Sequence, residues 1–249
     1  MLPLANILQP LIDVAEVVIL FFHDDLGFGW GMSIVALTVV TRIVILPLTI
    51  RQLRGMRAMQ QLSPHMKELQ EKYKDDRQRL QQEMMKLYQE HGVNPLGACL
   101  PLLLQLPVFI TLFYLLQDDL QPHLDETAAN GGNIGWLFIP DLGSKATGGV
   151  LIALILLYIA TQLGASLVMA ASADRNQRII MFGLPLVFVP IIISFPSGLI
   201  VYWITTNVWT VGQQLAIREF SPPPPVPTPE EVKAAKPPPA PPRKRKRRR

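Results

Sequence analysis

Five apolar stretches, at 31–50, 94–116, 148–171, 179–195 and 197–215, constrain this chain more than any other feature. Three of them run to about 20 residues, and at about 1.5 Å of rise per residue such a helix spans roughly 30 Å, the hydrocarbon thickness of a bilayer. The chain is 249 residues long and 49% hydrophobic. Too little amphipathic sequence remains to cover five such helices in water. The sequence therefore predicts an all-α integral membrane protein with five transmembrane helices.

Charge sets the orientation. With five crossings, residues 51–94, 172–178 and 216–249 share one side, and 21 of the 23 Lys and Arg residues fall there. Lys145 lies on the other side and Arg42 within a span. The positive-inside rule then puts the N-terminus outside and the C-terminus in the cytoplasm of a multi-pass plasma-membrane protein. Four or six crossings would scatter the basic clusters over both faces. The single cysteine, Cys99, allows no intramolecular disulfide. The start, MLPLANILQP, has neither a basic n-region nor a small-residue cleavage site, so no cleavable signal is expected.

The segments between the spans differ in kind. In 1–30, Asn6, Gln9, Asp13 and Glu16 recur at spacings of three and four. That stripe predicts an amphipathic helix lying in the outer interface. Residues 51–93 read as a cytoplasmic helical hairpin broken at Asp75-Asp76, with an aspartate cap on the second helix and Gly92 at its end. Pro64 starts or kinks the straight part of the first hairpin helix. The hairpin holds Met56, Met59, Met66, Met84 and Met85. Flexible thioethers serve either to pack two helices or to meet varied apolar segments, and composition does not separate the two. Residues 117–147 form an external loop, and Pro185 and Pro190 predict an irregular helix in 179–195. The tail, 216–249, is Pro-rich and ends in RKRKRRR, a composition that stays extended and disordered.

Arg42 is the charge that needs explaining. An arginine at the centre of a span costs about 2.5–3.5 kcal/mol on insertion scales, and none of the five apolar blocks contains Asp or Glu to pair with it. Arg42 is about the twelfth residue of its span, too deep to reach a surface easily. The alternative is a hydrated cavity of uncharged polar groups in which the cation awaits a visitor. Thr38 lies one turn before Arg42 on the same face, Gln105 and Gln162 sit in the second and third blocks, and Trp203, Thr206, Asn207, Thr210, Gln213 and Gln214 recur at helical spacing in the fifth. Together these faces make a polar groove inside the bilayer that favours anionic visitors, small anions or polypeptide.

The stretches WGMSIVALTVVTRIVILPLTIRQLRGM, LQEKYKDDRQRLQQEMMKLYQEHGVNPLGACLPLLLQLPVFITLFYLL and SGLIVYWITTNVWTVGQQ resemble the YidC/Oxa-type membrane protein insertases over roughly residues 28–218. The resemblance is to the short, Gram-positive-like members, without their visible lipoprotein signal. It implies a five-helix insertase core with a groove open to cytoplasm and lipid and closed outside, and an ATP-independent role in inserting nascent membrane proteins. The family's groove arginine falls on Arg42, its threonine on Thr38 and its last-helix aromatic on Trp203, next to Tyr202; Gln162 matches more loosely. The implied partners are nascent membrane proteins, the translating ribosome and the Sec translocon.

The cation run Arg243, Lys244, Arg245, Lys246, Arg247, Arg248 and Arg249 suits ribosomal RNA phosphates, anionic lipid head groups or a topology anchor. The resemblance points to the ribosome. No HExxH, GxSxG or paired intramembrane aspartate occurs, and His23, His65, His91 and His123 lack ligand spacing. The chain therefore reads as no enzyme, with no cofactor, metal or small-molecule substrate. A small-anion transporter or channel is the alternative, although no inverted repeat supports one.

Overall fold

A computed structural model describes residues 3–92, 100–169 and 175–220. Among these the regular structure is helical, with two isolated β-bridges, Trp136 with Ile139 and Lys145 with Pro196. The helices are α1 (Pro3–Leu20), α2 (Trp30–Gln61), α3 (Ser63–Lys72), α4 (Arg77–Glu90), α5 (Leu100–Tyr114), α6 (Gln121–Ala129), α7 (Gly148–Met169), α8 (Arg175–Ile192) and α9 (Ser197–Phe220). α1 and α5 each pass at their ends into one π-helical turn, Phe21–Asp25 and Leu115–Asp119. The residues divide into two compact units with a boundary at Leu53/Arg54, one containing α1, most of α2 and α5–α9, the other containing α3 and α4. The Asn94-Pro95 opening of the second span, Cys99 and the basic tail lie outside the described residues, as do the side chains of Met56 and Met59.

Two helical stretches are long and apolar enough to cross a membrane, Trp30–Ile50 and Gly148–Val168, and Met181–Ile192 is a shorter apolar one. The 50/51 boundary read from polarity falls inside α2. Polarity changes there but the helix does not, because RQLRGMRAMQQ contains no proline and mostly good helix formers. The break comes at Leu62, after which Pro64 sits at the start of α3, where its missing N–H costs nothing.

The larger unit is apolar inside and out. Its core joins Ile12 and Ile19 of α1, Trp30, Ile34 and Leu37 of α2, Leu112, Leu115 and Leu116 near the end of α5, Leu154 and Tyr158 of α7, and Leu199 and Ile200 of α9. Yet Ile7, Leu11, Val14, Ile43, Val44, Ile152, Leu156, Leu186, Val187 and Val208 are exposed. A water-soluble bundle would turn polar residues outward along these helices. This one presents hydrocarbon on both sides of each helix, as a protein solvated by lipid does. α1 packs on α5 and on the Leu115–Asp119 turn, burying Ile12 and Ile19 and leaving Ile7, Leu11 and Val14 on the opposite face.

The smaller unit is a polar hairpin held by local chemistry. Asp76 caps α4, its Oδ1 accepting from the Arg79 backbone N–H at 2.9 Å, a contact worth about 1 kcal/mol. Tyr73, between the helices, has the Lys72 and Arg79 cations each 5.3 Å from its ring centre. The Tyr88 hydroxyl donates to Met66 Sδ at 3.2 Å, so this methionine ties α4 to α3, whereas Met85 is exposed. Gly92 closes the hairpin at φ +64°, in the left-handed region that a Cβ disfavours.

Candidate functional site

The site is assembled by α2, α5, α7 and α9. On α2, Thr38 is buried and Arg42 follows one turn later, half-buried. The Thr38 hydroxyl donates to the Ile34 carbonyl at 2.7 Å and the Thr41 hydroxyl to Leu37 at 2.8 Å. These hydroxyls spend their donors on their own helix and keep only acceptor capacity for a neighbour. Among the described residues no carboxylate pairs with Arg42, and the only ion pairs there are two His–Glu contacts elsewhere. A guanidinium keeps its charge in proteins, so it must find water or a visiting acceptor.

From α9, the Tyr202 hydroxyl comes within electrostatic reach of Arg42. Gln105 Nε2 of α5 donates to the same hydroxyl, with Thr206 one turn further on as another neighbour. Asn207, also buried, donates from Nδ2 to Thr161 Oγ1 of α7 at 3.4 Å, and that hydroxyl in turn donates to the Leu157 carbonyl at 2.8 Å. Four helices therefore contribute a cation, a phenol, two amides and three hydroxyls to one layer.

The structure groups Arg42, Gln105 and Tyr202 closely and links Asn207 to α7 through Thr161, a residue the sequence reading passed over for its neighbour Gln162. Gln162 is half-buried and, among the described residues, hydrogen-bonds none of the others. Trp203 sits apart from the polar groups. Its ring packs on Phe109 (centroids 5.3 Å), Tyr158 (5.7 Å) and Phe188 (6.1 Å), joining α5, α7 and α8 to α9. Successive residues on a helix point about 100° apart, so Tyr202 and Trp203 serve different surfaces. The signal for this cluster was available in the aromatic residues of four apolar blocks, but nothing in their spacing paired them. The cation run 243–249 lies outside the described residues.

Toward Trp30 the buried residues become more apolar. Leu37 precedes Arg42 by five residues and Ser197 precedes Tyr202 by five, about 7.5 Å along each axis. In that interval, and on toward Trp30, the buried residues of the four helices are mostly apolar, with Ser33, Thr38, Thr111 and Ser197 as buried polar ones. On the other side Thr210, Gln213 and Gln214 of α9 are half-buried. A bundle of helices apolar on their exposed faces as well as inside, with polar side chains and one cation brought together within it, defines a helical membrane protein.

Comparison with known proteins gives the family. Residues 21–223 match the pattern that describes the 60Kd inner membrane protein family, and the chain belongs to that family, the YidC/Oxa type. It is similar to proteins described as membrane protein insertase YidC: one from Streptomyces avermitilis, 35% identical over 237 residues (81% of this chain, 54% of that protein), and one from Wolinella succinogenes, 39% identical over 192 residues (77% and 34%). A Haemophilus influenzae relative is 38% identical over 199 residues (80% and 35%). The chain thus spans about half the length of the first relative and about a third of the others. A crystal structure described as an active YidC insertase with its first transmembrane domain resolved shares the fold, with a TM-score of 0.62 at 24% identity over 87% of this chain and 46% of that one.

Proposed function

We propose that this chain is a membrane protein insertase and chaperone that moves nascent membrane proteins from the cytoplasm into the bilayer. α2, α5, α7, α8 and α9 are its five spans, with the N-terminus outside and the C-terminus in the cytoplasm. The α3–α4 hairpin is cytoplasmic, and α1 lies at the outer interface. The substrate's hydrophilic outer segment enters the layer formed by Arg42, Thr38, Gln105, Tyr202, Asn207 and Gln162, with Trp203 bracing the wall. Its apolar segment leaves sideways into lipid.

The observation that carries this reading is Arg42, with no carboxylate partner among the described residues, beside Tyr202 and Gln105. Polar chain crossing hydrocarbon needs partners at depth. The layer supplies them over part of the thickness, and the cation draws acidic residues in. The drive comes from the substrate's own helix, about 0.8 kcal/mol for each CH₂ removed from water. No nucleotide is required. The hairpin and the 243–249 cations serve to receive the translating ribosome, with anionic lipid as the competing contact, and the Sec translocon is a further partner.

Purified protein in liposomes, given a small single- or two-helix substrate, will protect that substrate's translocated segment according to a protease-accessibility assay. Anion flux by the intact protein without insertion would favour the transporter reading instead.

A further inference from the structure

The segment that joins α6 to α7 carries an apolar tip that the polar layer does not use. Residues 127–140, TAANGGNIGWLFIP, contain no Lys, Arg, Asp or Glu, although Asp125, Glu126 and Asp141 flank them. Within this stretch Trp136 and Ile139 exchange two backbone hydrogen bonds, at 2.8 and 2.9 Å, and close a two-residue hairpin loop of Leu137 and Phe138. Such loops ordinarily carry Asn, Asp or Gly, which tolerate positive φ and suit water. This one carries two large apolar side chains, and Leu137 is 78% and Phe138 46% exposed. Leu137 stands at φ +53° and is, among the described residues, the one non-glycine residue with positive φ. Gly131, Gly132 and Gly135 lie close by in sequence, yet the left-handed position holds a leucine, at a cost in backbone strain. The chain itself does not bury that side chain, so what the leucine serves lies outside the chain.

A braced framework holds the pair out. Asn133 Oδ1 and Asp141 Oδ1 accept from the backbone N–H groups of Gly135 and Gly143, each at 2.8 Å, and the Leu142 N–H donates to the Ile134 carbonyl at 3.1 Å. Ile139 and Leu142 are buried in the core of the bundle. The base is stitched to α9, where the Ser197 N–H and Oγ donate to the Ser144 carbonyl at 2.8 and 2.9 Å and the Gly198 N–H donates to Leu142 at 2.8 Å. The Trp136 ring lies on Gly31, where a Cβ would come within 2.1 Å of it. The hairpin therefore adjoins the start of α2, whose next residue, Met32, is exposed, as are Ile43 and Val44 further along. In sequence it leads into α7, which begins at Gly148 and turns Ile152 and Leu156 outward. These are the two helices long and apolar enough to cross a membrane.

We propose that Leu137 and Phe138 are a lipid anchor, a fingertip that enters the outer leaflet and ties the α6–α7 connection to the bilayer surface. The inference rests on the proposed reading that α2 and α7 span the membrane, but it concerns a segment whose polarity assigns it to water. Lipid is the partner that fits. Apolar surface leaving water gains free energy without demanding a matched shape, and the exposed faces of both neighbouring helices already require hydrocarbon around them. The half-buried Trp136 adds an aromatic ring of the kind that favours head-group depth. Charge agrees with this placement. The acids flank the tip without interrupting it, so no carboxylate is drawn below the surface. On the proposed topology Lys145 is the only basic residue on the outer side, and its exposed ammonium suits lipid phosphates while its stem lies along apolar surface.

The test places a fluorophore at exposed positions only. In a Cys99→Ser background, Leu137→Cys, Phe138→Cys, Asn130→Cys and Leu156→Cys are labelled one at a time with an environment-sensitive dye. The full chain is then reconstituted in liposomes of phosphatidylethanolamine and phosphatidylglycerol. A lipid bearing a nitroxide near the top of its acyl chain should remove most of the emission at 137 and 138, and aqueous iodide should remove little. At 130 the order should reverse. Phe138→Asp beside the label at 137 should withdraw the tip and restore quenching by iodide. Iodide quenching at 137 and 138 as strong as at 130, with the label at 156 quenched by lipid, would overturn the anchor and leave the spanning helices and the insertase reading standing. Iodide quenching at 156 as well would remove the spanning reading together with the anchor. A tip shielded from both quenchers would mean that another protein copy covers it, which would also overturn the proposal.

Discussion

The side chains around Arg42 and those around Leu199 come from the same four helices, about one turn apart, with different chemistry. Around Leu199 most contributions are apolar: Ile34 and Leu37 from α2, Leu116 from the turn after α5 and Leu154 from α7 pack in one core, with Ser33, Thr111 and Ser197 as buried polar residues on these helices. At Arg42 the same helices present hydroxyls, amides and a fixed charge. Helix packing alone cannot account for the difference, since backbone and neighbours are shared. The difference lies in two or three side chains per helix. One bundle can hold an apolar core and a receptive site in succession when its helices change polarity together.

This contrast can be broken most forcefully by moving charge into the apolar surroundings of Leu199. Leu199→Asp should lower stability by about 3–5 kcal/mol, the cost of a buried charge without a partner, whereas Asn207→Asp in the polar layer should cost less than half as much. Melting temperatures in one detergent will show it, and equal losses would erase the distinction between the layers. Tyr202→Phe should cost about 1–2 kcal/mol by leaving the Gln105 amide without its acceptor, and Gln105→Leu in the same chain should restore part of it. A double-mutant cycle that sums additively would mean the pair is not coupled.

Arg42→Ala should slow insertion of substrates with acidic outer segments by about tenfold while sparing neutral ones, as expected for charges attracting across a half-wet site. Equal slowing of both would assign the arginine a structural role only. Thr38→Val should change stability by under about 1 kcal/mol, because that hydroxyl donates to its own helix; unchanged insertion would remove Thr38 from the layer that the substrate enters.

The smallest effect concerns Asp119, in the turn that follows α5. Burial, with Glu16, Asp118 and Asp13 adding like charge, pushes its carboxyl above the usual carboxylate range. The folded protein then holds this proton more tightly than the unfolded chain, so stability falls as pH rises from about 4 through the raised value. Asp119→Asn should flatten that part of the pH–melting curve. A curve of unchanged slope would remove Asp119 from the account.

Local signals were the most legible. The Asp76 cap and the left-handed Gly92 depend on a few consecutive residues, and both follow from turn and capping chemistry. Arg42 stood out because a charge amid apolar residues is conspicuous without any partner. What the sequence concealed depends on pairs far apart along the chain. Gln105 and Tyr202 are 97 residues apart, and each was visible as polar without showing that one binds the other. The choice of Gln162 over Thr161 turned on a rotation of one residue around α7, finer than periodicity resolves. Trp203 lay in a polar run by spacing, but its ring is drawn to Phe109, Tyr158 and Phe188 by packing that only tertiary structure supplies. Residues 117–147 read as an external loop because the segment is rich in Asp, Gly and Asn, and the burial of Ile139 and Leu142 becomes visible only once the helices are assembled.

The stitches from Ser144 and Leu142 to the first turn of α9 bear on how this chain is itself made. The acceptors are synthesised about fifty residues before the donors they serve, and on the proposed topology they must already have crossed the bilayer when α9 arrives. The last helix is therefore threaded into a waiting socket, and the protein's own biogenesis has a fixed order: exported loop first, closing helix second.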